Sequence, residues 1–599
     1  MRRKQNGAPK TRPVLVLAAV SLVAGLVACS GKGPEVAETE TATLAQEGES
    51  RVPRVPVLRR VVEADHNESD KEFKKYKGDA LDFVSDKPFK GKGTYNALGS
   101  GGGGGRFGSR VIQGGDNENP AGTESYDGIV ENEFHSAIKD PLSTFSIDVD
   151  TASYSNVRRF LDRRRLPPAG AVRVEELINY FTYDYPQPEA GEPFSVTTEV
   201  AGCPWDSSHQ LVHIGIQARK IPIEDVPPRN LVFLLDVSGS MRSAEKLPLL
   251  KSAMSLLVEN LREEDRVAMV VYASASGLVL PSTSGAEGSA ILSAIERLSA
   301  GGSTNGGAGI QLAYRVAQEN FIPGGINRVI LATDGDFNVG TTSRSGLVRL
   351  IEKKREDGVF LTVLGFGTGN YKDSTMEMLA DKGNGNYSYI DSLKEARKVL
   401  VTEVAGTLMT IAKDVKIQVE FNPAHVQAYR LVGYENRVLK ARDFNDDKKD
   451  AGEIGVGHSV TALYEIVPPG ADWAGVDDLK YQDIKEMTPA AASDELLTLK
   501  LRFKAPDGEK SRKLVFPVKT TVASFGGASE NFRFSASVAA FGMLLRDSSR
   551  GGTLTLGGVH EIARTSVGVD GEGYRKEFLR LVEAARKLKE PGKTSKIRR

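Results

Sequence analysis

The sequence has 599 residues, enough for several domains and at least one sizeable core. Lys plus Arg total 78 and Asp plus Glu total 78, so the formal net charge is zero, which excludes a nucleic-acid binder held by bulk charge. The seven histidines are widely scattered and give no histidine-rich metal cluster.

At the N-terminus Arg2, Arg3, Lys4, Lys10 and Arg12 precede the apolar stretch "VLVLAAVSLVAGLVA". This pattern reads as a secretory signal, and the stretch is shorter than the roughly 20 residues of a membrane span. It ends in "LVAC", residues 26 to 29, followed by the polar "SGKG". That ending resembles the bacterial lipobox. The resemblance implies that residues 1–28 are a lipoprotein signal peptide and that Cys29 is the lipidated first residue of a protein anchored in the cell envelope. Ser30 implies the outer membrane where the cell has one. Cys203, in "EVAGCPW", then has no disulfide partner and reads as a buried small hydrophobe.

Residues 29–137 read as a tether. "GPEVAETETATLAQEGES" is acidic and polar, and "GSGGGGGRFG" has flexible-linker composition. Residues 138–190 form an N-terminal helical region, with "SNVRRFLDRRR" and "VRVEELINYF" separated by the turn "LPPAGA". Residues 191–228 carry two alternating strands, "FSVTTEVA" and "LVHIGIQA".

Over residues 229–412 the pattern becomes α/β. "LVFLLD" is continuously apolar, as in a strand buried on both faces. "PLLKSAMSLLVENL" is a helix with Leu250, Met254, Leu257 and Leu261 on one stripe and Pro248 in its first turn. Strands "RVAMVVYAS", "RVILATD", "VFLTVLGFG" and "GNYSYI" alternate with further helices, ending in a long one, "LKEARKVLVTEVAGTLMTI". Such alternation predicts a doubly wound, mostly parallel sheet. Over residues 413–525 five more strands follow: "DVKIQVEF", "VQAYRLVG", "SVTALYEIV", "ELLTLKLRFK" and "RKLVFPVK". With the two before Asn230 they suffice for a β-sandwich-like domain into which the α/β unit is inserted. Residues 526–599 are helical again.

"LLDVSGSM" closes the first α/β strand and places Asp236, Ser238 and Ser240 on alternate positions. Residues two apart in an extended segment face the same side, so three oxygens can aim at one point. That point is outside the carboxyl end of a strand, where doubly wound sheets bind ligands. Thr304, in "GGSTNGGAG", and Asp334, in "LATDGD", fall at two further loop positions of the same kind. Hydroxyls and carboxylates are hard oxygen ligands suited to magnesium, manganese or calcium.

These pieces resemble the metal-ion-dependent adhesion site of von Willebrand factor type A domains: D-x-S-x-S at 236 to 240, then Thr304, then Asp334 in T-D-G. The resemblance implies that Asp236, Ser238, Ser240, Thr304 and Asp334 hold a divalent cation, most naturally magnesium, directly or through water. It also implies a protein partner that supplies an acidic residue to the metal. Ser303 is a neighbouring hydroxyl. "TFSIDVDTASYSNVRRFL", "DYPQP", "FNPAHVQAYRLVGYENR" and "DFNDDKKDAGEIG" resemble the flanking regions of bacterial YfbK-like lipoproteins, so the likeness covers roughly residues 138 to 595.

Other motifs carry less. "DFNDDKKDAGEIG" has Lys448 and Ile454 where a calcium loop of the EF-hand type wants glycine and glutamate, and reads as a polar hairpin. "HEIAR" lacks the second histidine of a zinc protease motif, and no G-x-S-x-G elbow is present. The sequence therefore assigns no catalytic residue. It reads as a lipid-anchored, metal-dependent protein-binding module. The alternatives are an envelope assembly factor working with an ATPase or secretion partner, and a metal-dependent hydrolase with Asp336 as its base.

Overall fold

The computed structural model describes residues 124–590, apart from 148–149, 336, 338–343, 370–371, 404–405, 407, 474, 476–486 and 507. The signal, Cys29, the glycine-rich stretch, Asp336 and the basic C-terminal tail lie outside the described residues. Among those described, no helix is long and apolar enough to cross a membrane.

The chain begins with β1 (His135–Ser136), β2 (Leu142–Ser146), α1 (Ala152–Asp162) and α2 (Val174–Asn179), then β3 (Phe194–Gly202) and β4 (Gln210–Ala218). The α/β segment runs β5 (Arg229–Asp236), α3 (Leu247–Val258), β6 (Arg266–Tyr272), β7 (Ser276–Ser284), α4 (Gly288–Arg297) and α5 (Gly306–Glu319). It continues with β8 (Ile326–Thr333), α6 (Arg344–Glu356), β9 (Phe360–Phe366), α7 (Asp373–Lys382), β10 (Tyr387–Ile390) and α8 (Leu393–Arg397). Strands resume as β11 (Thr410–Phe421), β12 (Ala428–Val432), β13 (Val438–Leu439), β14 (Gly452–Gly455), β15 (Ser459–Val467), β16 (Glu495–Lys504) and β17 (Ser511–Lys519). Helices α9 (Glu530–Leu545), α10 (Leu556–Arg564) and α11 (Tyr574–Lys589) close the described chain.

The central sheet has strand order β10-β9-β8-β5-β6-β7. It is parallel except for β7, which runs antiparallel to β6. All eight residues of β5 are buried, because apolar helices cover both faces of the strand. Leu250, Met254 and Leu257 of α3 pack on one face, and Ile310, Ala313 and Tyr314 of α5 on the other. Each fully buried side chain of this size contributes about 1.5–3 kcal/mol, so the strand that ends in Asp236 is among the most firmly held parts of the fold. The order reverses between β5 and β8, and the crevice at such a switch point is where this fold accepts ligands.

Two further sheets, β1-β12-β15-β4-β3 and β13-β2-β11-β16-β17 with β14 on β11, enclose a second core containing Phe145, Ile214, Ile417, Tyr464 and Leu499. β4, which precedes the α/β segment, pairs with β15, which follows it. On the outside of that sheet α1, α2, α9, α10 and α11 build a third core around Tyr180, Phe534 and Phe578.

Four features differ from the sequence reading. Residues 124–137, placed in the tether, pack on the fold: Glu124 pairs with Arg159 at 3.0 Å, and the Asn132 amide donates to the Leu431 and Gly433 carbonyls. β2, inside the region read as helical, pairs with β11 because "LSTFS" alternates and buries Phe145. β7 was not anticipated; it is an edge strand, the place where its Pro281 is tolerated. The long final helix is interrupted: α8 is followed by one π-helical turn, Lys398–Thr402, and a bend at Glu403, with helical residues again at Gly406 and Leu408. Val399, Val401 and Thr402 are β-branched and lower helix propensity, and Thr410 onward joins β11.

Candidate metal centre

Asp236 is the last residue of β5 and is fully buried. The Ser238 amide donates to its Oδ1 at 2.9 Å, which turns the chain so that Ser238 Oγ and Ser240 Oγ lie 2.9 Å apart. Register sets Tyr272, the end of β6, beside Asp236, and Thr333 closes β8 on the other side. The Tyr272 and Thr333 hydroxyls reach Asp236 Oδ2 at 3.3 and 3.4 Å. Burial, and the charge of Asp334 close by, push the Asp236 carboxyl up to about 6 against the hydrogen bonds from Ser238.

The Thr304 loop is joined to this loop by two backbone hydrogen bonds, Gly239 to the Gly302 carbonyl at 2.9 Å and Gly301 to the Val237 carbonyl at 2.8 Å. Gly302 has φ of +80°, and a Cβ there would lie 2.6 Å from Ser274 Oγ, so the close approach requires glycine. The Ser303 amide and hydroxyl meet Ser274 Oγ at 2.9 and 3.2 Å, and Ser303 is exposed, whereas Thr304 is half-buried. Asp334 follows β8 and is fully buried. Its Oδ2 accepts from the Lys246 ammonium at 2.7 Å.

The structure thus brings Asp236, Ser238, Ser240 and Asp334 to the switch point and sets the Thr304 loop against them. Sequence reasoning missed Lys246, Tyr272 and Thr333. The register of "RVAMVVY" against "LVFLLD" was the available signal for Tyr272; none marked Lys246. The donor set fits a hard divalent cation: two carboxylates, neutral hydroxyls and a rigid loop. Among the described residues no group of three or more His, Cys, Asp or Glu side chains is placed to hold a metal.

The motifs set aside behave as ordinary structure. In the 443–450 loop Asp447 pairs with Arg502 at 3.0 Å, and Asp450 lies 3.3 Å from Arg355 and 3.4 Å from Lys382. Cys203 is buried and free, and burial pushes its thiol up. His560 is half-buried on α10.

Residues 230–402 match the von Willebrand factor type A domain, residues 120–213 match a model described as "von Willebrand factor", and residues 406–588 match "Uncharacterized protein YfbK, C-terminal". The chain is 46% identical over 471 residues to the Escherichia coli protein described as "Uncharacterized protein YfbK", covering 78% of this chain and 81% of that one. It is 28% identical over 193 residues to inter-alpha-trypsin inhibitor heavy chain H4 of Bos taurus, covering 31% of this chain and 21% of that one. A solved structure titled "von Willebrand factor type A from Catenulispora acidiphila" matches 67% of this chain and 91% of its own, with 16% identity and a TM-score of 0.38. Domains of the von Willebrand A type mediate protein interactions, often through a divalent cation.

Proposed function

The chain belongs to the YfbK family of von Willebrand factor type A domain proteins, and on that premise we propose that it is a lipid-anchored cell-envelope protein that holds a protein partner through a metal ion at the end of β5. The observation that carries the reading is the buried Asp236 carboxylate, capped by the Ser238 amide, with Ser238 and Ser240 hydroxyls 2.9 Å apart beside it and Asp334 at the next strand end. Asp236, Ser238, Ser240, Thr304 and Asp334 would hold the ion, magnesium in this reading, with manganese and calcium as alternatives. When bound, the ion supplies a fixed positive charge able to take a carboxylate from the partner. The chain's own contribution is to hold the hydroxyls on a rigid loop and to shield Asp236 from water.

The anchoring half of the reading rests on the "LVAC" leader alone. Cys29→Ser is expected to release the protein from membranes or block its maturation, checked by mass spectrometry of the mature N-terminus. The binding half is tested by affinity capture on intact envelopes. A partner retained with magnesium, released by chelator and absent with Asp236→Ala supports the reading. Equal capture in chelator, or with Asp236→Ala, refutes it.

A further inference from the structure

Lys246 is a cation that the fold itself places in the strand-end crevice. It ends the loop that begins at Asp236 and immediately precedes α3, so the segment that presents Ser238 and Ser240 also carries this ammonium. The Lys246 side chain is 8% exposed and that of Asp334 0%, with 2.7 Å between Nζ and Oδ2. A slot is built for the stem. Gly367, just past β9, has φ of +69°, and a Cβ there would lie 2.3 Å from Lys246 Cγ and 2.4 Å from Cε. The loop is tied from outside as well: Glu245 meets Arg163, just past α1, at 2.7 Å. Among the described residues, the side chains hydrogen-bonded to Asp236, those of Tyr272 and Thr333, are uncharged, as are the Ser238 and Ser240 hydroxyls beside them.

We propose that Lys246 is a resident counter-ion that weakens the site's hold on its metal and makes the loaded site select an anionic ligand. This deepens the metal-dependent reading and rests on it. With both aspartates ionised, Asp236, Asp334 and Lys246 sum to one net negative charge, so a divalent ion leaves these described groups one net positive. Without the lysine the same groups would hold the ion more tightly, and the loaded centre would be neutral. A carboxylate from a partner is favoured in the first case and not in the second. Lys246 Nζ and Asp334 Oδ2 lie 2.7 Å apart, both side chains are buried, and the charge of Asp334 is felt at Asp236; in such a place a unit charge changes ion affinity by about tenfold or more even at a high effective dielectric.

The test is manganese binding by the full chain, read from the electron paramagnetic resonance of free Mn2+, with and without acetate as the smallest carboxylate. Lys246→Met keeps the stem in the Gly367 slot and removes the charge. It is expected to bind Mn2+ about tenfold or more tightly than wild type and to lose the gain in affinity that acetate gives wild type. Lys246→Arg keeps the charge and is expected to stay within about threefold of wild type. A merely structural role predicts the opposite sign, since loosening the site weakens metal binding. Unchanged or weaker binding by Lys246→Met overturns the proposal. If Lys246→Met does not fold, Lys246→Gln takes its place. On the wild type, Mn2+ is expected to broaden the Lys246 Nζ resonance before those of other lysines, and a sharp Lys246 signal at saturation overturns the placement. Asp236→Ala separates the two readings. Uptake that depends on Asp236 but does not tighten in Lys246→Met removes this proposal alone; uptake indifferent to Asp236 removes both.

Discussion

Asp334 and Asp391 occupy the same station in the same sheet, each the first residue past a strand, β8 and β10. Their surroundings differ. Asp391 is gripped through both oxygens by Arg158 of α1, Nε to Oδ2 at 2.7 Å and Nη2 to Oδ1 at 2.6 Å. The same guanidinium also takes Glu395 at 2.7 Å and Glu577 of α11 at 2.8 Å, with Tyr180 OH alongside at 3.0 Å. Asp334 instead meets a lysine, a point charge, at 2.7 Å. The planar fork makes Arg158 a structural rivet joining three parts of the chain. Among the described residues, the crevice beside Asp236 and Asp334 is furnished with a lysine and hydroxyls instead of a guanidinium. Acid count alone does not separate these two places; donor type does.

The comparison can be broken most forcefully at the rivet. Arg158→Ala leaves Asp391, Glu395 and Glu577 without their shared cation, and the expected loss is about 3–5 kcal/mol in urea denaturation. A loss under about 1 kcal/mol would show that the cluster is not structural.

A buried group with no counter-charge among the described residues sharpens the contrast. His213 is 1% exposed, its Nε2 meets Tyr185 OH at 3.0 Å, Phe532 packs nearby, and Nδ1 has no partner. Burial pushes its pKa down to about 3. Between pH 6.5 and about 3 the unfolded chain therefore binds a proton that the folded chain refuses, and stability falls as pH falls. By pH 5 the loss is about 2 kcal/mol. His209, half-buried, has its pKa raised by Glu465, so its contribution is present at low pH and lost as pH rises, with the opposite sign. Comparing wild type with His213→Gln at pH 7 and pH 5 isolates the first effect. Equal pH dependence in the two would contradict it.

Two smaller effects bear on the metal crevice. Tyr272→Phe removes a hydroxyl from Asp236 while keeping the ring, and magnesium affinity is expected to fall about tenfold with the melting temperature unchanged. An unaltered affinity would place Tyr272 outside the site's support. Glu245→Gln opens an exposed pair with Arg163 and is expected to cost at most about 1 kcal/mol. A larger loss on thermal denaturation would mean that the loop depends on α1 more than its exposure implies.

Much of this was legible in the sequence because the signals were local. "LVFLLD" is apolar at every position before its aspartate, which only a strand covered on both faces permits. The spacing of Asp236, Ser238 and Ser240 also survives folding, since a two-residue period is set by the backbone. Lys246 was not legible, because the slot that buries it is made by Gly367, distant in sequence. β7 was hidden by Pro281, which reads as a breaker until the strand is known to be at an edge. The interruption after α8 depends on β-branched residues and on the Lys398–Glu403 contact of 2.6 Å, and periodicity registers neither. Residues 124–137 looked like linker because their partners, Arg159 and the β12 end, come from elsewhere.

The central claim is that the switch point between β5 and β8 is a divalent-cation site. It is tested most directly by calorimetric titration of chelator-treated full-length protein with magnesium, wild type against Asp236→Ala, with circular dichroism to show that both are folded. The account predicts saturable uptake of about one ion per chain by the wild type and none by the variant. Equal uptake by the two, or none by the folded wild type, would contradict it.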